Sequence, residues 1–173
     1  SLVLGICGGY QMLGLEIHDP LGVEGGGCQE GLGLLPVRTT FTQEKTLCSS
    51  AGTTLQLGAP FAGLSNLDVA GYQIHMGQTT LEGGMPFCLL GDAGEGASDI
   101  AQAYTCSDDS KTAYDQRGRT PSNGRLSGDV VQSTYEDGCV AGTVMGTYLH
   151  GLFDSVPFTQ ALIDMLLARK GMS

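Results

Sequence analysis

Apolar positions along this chain come in short blocks whose period changes from block to block. Leu2-Val-Leu-Gly-Ile6 is a continuous apolar run, the pattern of a strand buried on both faces. It predicts a strand over 2–7, followed by a helix over roughly 8–17. Residues 19–33 break the periodicity with glycines, Gly25-Gly26-Gly27 among them, and predict a loop too flexible for regular structure. The triplet has no following Lys and no helix pattern, so it reads as a linker rather than a phosphate loop. β-favouring blocks then follow at Leu34–Phe41, Thr53–Leu57, Val69–Met76 and Phe87–Leu90. From Gly91 to about residue 129 the chain turns polar, rich in Gly, Ser, Asp and Thr, which predicts a long surface insertion. Strands resume at Val130–Thr134 and Cys139–Leu149. Asp154 or Ser155 then caps a helix through about Arg169, with Pro157 in its first turn and Gly171 past its end. Phe158, Leu162, Met165 and Leu166 fall at helical spacing and are expected to face the core.

The junction of the first strand and helix carries the chemistry. Gly5, Cys7 and Gly9 have the spacing of a nucleophile elbow, where a reactive side chain sits on a strained strand-to-helix turn. Glycine on both sides is expected because strand and helix pass too close for a Cβ. The helix N-terminus favours a thiolate at Cys7, and the N–H of Gly8 points where an oxyanion would develop. A structural cysteine in a glycine-rich turn is the competing reading.

A thiol nucleophile needs a base, and the chain has three histidines. His150, in Gly146-Thr-Tyr-Leu-His150-Gly-Leu-Phe-Asp154, follows a β-favouring run and precedes a loop. That is where an open α/β sheet presents its functional groups. His75 lies in an alternating run between Gly71 and Gly77 and reads as a packed strand residue. His18, beside Asp19-Pro20, reads as a helix end or loop with no chemistry.

Gly5-Ile-Cys7-Gly-Gly9-Tyr-Gln11 resembles the G-x-C-x-G-x-Q signature of class I glutamine amidotransferase domains. Further segments narrow the resemblance to the amidotransferase domain of the cobyric acid synthase family. These are Tyr10-Gln-Met-Leu-Gly14, Gly31-Leu-Gly-Leu-Leu-Pro36 with Thr39-Thr-Phe41, Gly71-Tyr-Gln-Ile-His-Met-Gly77, and Gly146–Asp154. They occur in order along nearly the whole chain and are weakest between 91 and 135.

The resemblance implies an α/β fold: an open, mostly parallel sheet with flanking helices, flavodoxin-like. It implies Cys7 as the nucleophile that takes the γ-glutamyl group, His150 as general base and acid, and Gly8 as an oxyanion donor. Gln11 is placed against bound glutamine and His75 along the substrate pocket. Two positions depart from the family. Most class I relatives carry a Glu two residues after the base, whereas position 152 is Leu; the cobyric acid synthase branch shares that lack, and Asp154 is the nearest acid. Position 73 is Gln where Glu is expected.

The implied activity is glutamine hydrolysis that supplies ammonia for ATP-dependent amidation of corrinoid side-chain carboxylates in cobalamin biosynthesis. The segment itself is expected to need no cofactor and no metal; ATP and Mg²⁺ are implied for a synthetase domain. Residues 1–173 are therefore expected to form a partial, N-terminally incomplete amidotransferase domain. The earlier strands, a second oxyanion donor and the synthetase domain would lie outside it, leaving the fragment weak or inactive alone. Other readings stay open: a related corrinoid amidotransferase such as cobyrinic acid a,c-diamide synthase, a thiol hydrolase, or a non-catalytic docking remnant.

Composition changes this picture little. Eighteen acidic against eight basic side chains, net −10, argue against nucleic acid and anionic membrane surfaces, which require Lys/Arg clusters. No apolar run is long enough to span a bilayer, and no signal peptide is expected. The six cysteines show no C-x-x-C pair and no zinc spacing, so they are expected to be reduced thiols of a cytoplasmic protein.

Overall fold

The computed structural model describes residues 1–92 and 134–172. The expected insertion over 91–129 and strand over 130–134 fall almost wholly outside the described residues. Strand β1, Val3–Ile6, leads into helix α1, Gly8–Leu13. The helix is shorter than its apolar pattern suggests. Gly14 passes so close to Val37 that a Cβ would lie 2.8 Å from the Val37 carbonyl oxygen, and Leu15 N–H donates to that oxygen at 2.8 Å. A strand partner thus captures the chain where the helix would have continued. Residues Glu16–Asp19 become β2, and His18 is an exposed strand residue rather than a helix end.

The glycine-rich loop is also more ordered than expected. The buried Asp19 carboxylate accepts the amides of Val23, Glu24 and Gly26 at 2.7–2.8 Å. Gly25, Gly26 and Gly27 adopt φ of 123°, 83° and 86°, a region open to glycine at little cost. The loop ends in a short edge strand, β3, Gly27–Glu30.

The two strands expected at 34–41 and 53–57 are largely one element, β4, Val37–Thr54. It pairs antiparallel with β5, Asp68–Leu81, and the register shifts between Phe41 and Thr46. This irregularity accommodates the polar stretch 42–45 that hides the continuity in sequence. β6, Cys88–Asp92, and β7, Tyr135–Asp137, complete a six-stranded sheet in the order β3-β2-β4-β6-β7, with β5 also on β4. A second sheet runs β1-β9-β8, with β8 at Cys139–Ala141 and β9 at Val144–Thr147.

The fold is mixed α/β, but the expected mostly parallel sheet is not what these residues form. Among the described residues only β1–β9 and β2–β4 are parallel; the other five strand pairs are antiparallel. Short hairpin connections such as β8–β9 permit only antiparallel pairing.

The C-terminal helix α2, Val156–Arg169, has Ser155 at its N-cap and Pro in its first turn. It anchors through Phe158, fully buried and edge-on to Phe87 at 6.0 Å. Ala161, Leu162 and Met165 pack alongside, but Leu166 remains 41 % exposed rather than facing the core. A second cluster, Tyr10, Leu13, Leu35, Val37, Val144 and Tyr148, sits beneath α1 and the end of β9.

Candidate active site

Parallel pairing sets Gly5 opposite Gly146 and Ile6 opposite Thr147. The Cys7 amide continues the ladder, donating to the Thr147 carbonyl at 2.9 Å. The backbone then turns: Cys7 has φ 54° and ψ −115°, a left-handed conformation that costs a non-glycine residue on the order of 1–3 kcal/mol. The Cys7 carbonyl accepts the Gln11 amide at 3.1 Å and starts α1. A Cβ on Gly5 would meet Leu13 Cδ1 at 2.5 Å and the Gly9 backbone at 2.8 Å, whereas a Cβ on Gly9 would meet nothing within 4 Å. Close packing therefore explains one flanking glycine, not both. Gly8 is exposed and is the first residue of α1, where amides have no partner within the helix.

The Cys7 thiol donates to the carbonyl of Ile74 on β5 at 3.4 Å. His150 docks on the same strand. Its backbone forms a two-bond bridge with Tyr72 (2.8 and 3.2 Å), and its ring stacks on the Tyr72 ring, 4.8 Å between centroids and 7° apart. Gly71 is required for this contact, since a Cβ there would overlap the His150 carbonyl. Burial holds the His150 pKa below its ordinary value, so the ring is neutral at pH 7. Its Nε2 is buried without a hydrogen-bond partner. The elbow and the histidine thus converge on Tyr72–Ile74, with the thiol bonded to the Ile74 carbonyl rather than to the imidazole.

Gln11 and His75 meet at Tyr148. Gln11, buried, donates through Nε2 to the Tyr148 hydroxyl at 3.1 Å, and that hydroxyl lies 2.6 Å from Thr79 Oγ1. The His75 ring stacks on Tyr148 at 3.7 Å. Its Nδ1 is 2.7 Å from the Gly77 carbonyl, which accepts, so the proton sits on Nδ1 and Nε2 is the free lone pair. Burial lowers the His75 pKa against the opposing pull of its bond to the Gly77 carbonyl. Gly77 lies close under this group: a Cβ there would lie 2.7 Å from Gln11 Nε2, so Gln11 would have to move.

Beside this group opens a cleft of about 500 Å³ lined by Gln73, His75, Thr79, Tyr135, Asp137 and Tyr148, among others. Gln73, in place of the expected Glu, is buried; it accepts weakly from Tyr135 OH at 3.4 Å, and its Nε2 has no partner. Tyr148 and Asp137 are members that no sequence signal marks: Tyr148 lies inside the Gly146–Asp154 segment two residues before His150, and Asp137 has no motif around it. Among the described residues no three His, Cys, Asp or Glu side chains gather as a metal would need, and no helix is long and apolar enough to cross a membrane. Cys7, Cys28, Cys48, Cys88 and Cys139 are all free thiols.

A strand-to-helix cysteine elbow thus packs against a strand that also receives a histidine. The CobB/CobQ-like glutamine amidotransferase domain matches residues 1–105, and the chain belongs to that family. Similar curated proteins include several named cobyric acid synthase. Cobyric acid synthase of Klebsiella pneumoniae strain 342 is 40% identical over 175 residues, covering 99% of this chain and 27% of the relative. That of Lachnoclostridium phytofermentans is 34% identical over 172 residues, covering 99% and 28%. A probable cobyric acid synthase of Methanocella arvoryzae is 37% identical, covering 98% and 26%. The chain thus spans little more than a quarter of the length of these relatives.

Proposed function

We propose that this chain is the glutamine-hydrolysing part of a cobyric acid synthase. The observation that carries the reading is the left-handed Cys7, whose thiol rests on the same stretch of β5 that receives His150. In this mechanism neutral His150 accepts the Cys7 proton, and the thiolate attacks the carboxamide carbon of glutamine. The Gly8 amide stabilises the oxyanion. Collapse of the tetrahedral adduct breaks the C–N bond as His150 returns the proton, and ammonia leaves a γ-glutamyl thioester. His150 then takes a proton from water, whose oxygen attacks the thioester and releases glutamate with the thiol restored. Gln11, its amide held by Tyr148, and His75 bound the glutamine pocket.

The ammonia serves to amidate carboxylates of a corrinoid. ATP and Mg²⁺ belong to that second reaction, and no step assigned to these residues runs through them. Free thiols throughout the described residues suit a cytoplasmic location.

The test is amidation by the full-length polypeptide with glutamine or with ammonium as nitrogen source. Cys7→Ala should abolish the glutamine-dependent rate, and His150→Ala should lower it on the order of 10²–10⁴-fold, both sparing the ammonium-dependent rate. His75→Ala should fall between parent and His150→Ala. Full glutamine-dependent activity in Cys7→Ala would overturn the reading.

A further inference from the structure

Asp137 is a carboxylate in an expensive place. It is only 6 % exposed, and its partners are the Thr147 hydroxyl, the Tyr148 amide at 3.3 Å, the Gly138 amide and the Cys88 thiol at 3.8 Å. None of these is a cation. Burial accordingly raises its pKa, to about 6. A buried acid without a counter-charge weakens the folded state relative to a neutral residue of the same shape, so stability alone does not account for it.

The groups it holds do. Thr147 is fully buried. Its carbonyl accepts the Cys7 amide at 2.9 Å. Its hydroxyl donates to Asp137 and accepts the Leu149 amide at 3.0 Å, immediately before His150. Tyr148, whose amide Asp137 also accepts, holds Gln11 through its hydroxyl. Asp137 itself sits at a turn fixed by Gly138, whose φ is 77° and whose Cβ would overlap the Gly146 carbonyl. One carboxylate therefore bears on the elbow, on the strand that delivers the histidine, and on Gln11. Leu152, two residues after His150, is fully buried in the core.

We propose that Asp137 is a positioning residue for the hydrolysis: by clamping Thr147 and Tyr148 it fixes the Cys7 elbow relative to the chain entering His150. This rests on the Cys7 and His150 assignments above. Asp137→Asn keeps the volume but removes the charge and leaves one acceptor oxygen where Thr147 and Tyr148 now meet two, with an amide N–H₂ set against the Tyr148 amide or the Thr147 hydroxyl, so the clamp is weakened.

The test is steady-state glutamine hydrolysis with thermal melting of the same full-length samples. Asp137→Asn is expected to lower kcat about 10–100-fold, comparable with the effect of a misplaced catalytic group. KM for glutamine should stay within about twofold, and the melting midpoint should not fall. Turnover near the parent's, or a fall in kcat accompanied by a matching loss of melting midpoint, would overturn the proposal. Should Asp137→Asn not fold, Thr147→Val and Thr147→Ser decide. The Ser variant keeps the hydroxyl and should keep turnover, the Val variant should lose it, and equal turnover in the two sinks the clamp. Because Cys7→Ala is measured separately, a failed clamp leaves the nucleophile assignment standing, and a failed nucleophile is seen without reference to Asp137.

Discussion

At the scale of single residues, this site concentrates groups that burial has pushed towards neutrality. His150 and His75 both titrate below their ordinary value, which keeps a lone pair available for proton transfer at neutral pH. Asp137 moves the other way, and its sign can be measured. Its folded pKa of about 6 lies above the ordinary 3.8. Between pH 6 and 4 the folded chain therefore binds a proton that the unfolded chain has released. Stability should rise as pH falls through 6, with the gain complete below about pH 4 and at most about 3 kcal/mol. The two histidines oppose this, since protonation disfavours the folded chain, but they are common to parent and variant. The difference in urea midpoint between parent and Asp137→Asn, followed from pH 7 to pH 4, should shift in the parent's favour on acidification. A pH-independent difference would show that Asp137 does not titrate in this window.

At the scale of elements, contacts between main chains decide which glycines matter. Gly5 lets β1 run beneath α1, and Gly71 lets β5 meet the chain at His150. Gly9 has the motif spacing but open space where a side chain would go. Gly5→Ala should cost about 1–3 kcal/mol by overpacking. Gly71→Ala should cost at least as much, and it should also lose glutamine hydrolysis by displacing His150. Gly9→Ala should be neutral or stabilising by up to about 1 kcal/mol, because alanine is the better helix former. Urea denaturation of the three variants ranks them, and a Gly9 variant as damaged as the Gly5 variant would show that helix and strand pack differently from the geometry described.

At the scale of the whole molecule, the site lies where two sheets meet: β1 and β9 belong to one, and β5 belongs to the other. Among the described residues β1 pairs only with β9, so its second edge offers unpaired amides and carbonyls to another strand. We expect residues 1–173, prepared alone, to self-associate with rising concentration in sedimentation velocity. A monodisperse monomer at all concentrations would contradict that expectation.

The sequence by itself determined the parts whose information is local. The elbow was legible because spacing around Cys7 encodes a turn. The C-terminal helix was legible because Ser155, Pro157 and Gly171 mark its ends, and His150 because a β-favouring run delivers it to a loop. Tertiary structure decided the rest. Helix α1 stops at Leu13 because Val37 captures the backbone. β4 runs unbroken from Val37 to Thr54 because β5 pairs with it across a polar stretch that has no strand pattern. The sheet is mixed because parallel or antiparallel pairing is a property of partners distant in the chain, not of any strand alone. Asp137 joins Cys7 to His150 for the same reason. Its residue type and neighbours in sequence carry no motif, and only the fold places its carboxylate against Thr147 and Tyr148.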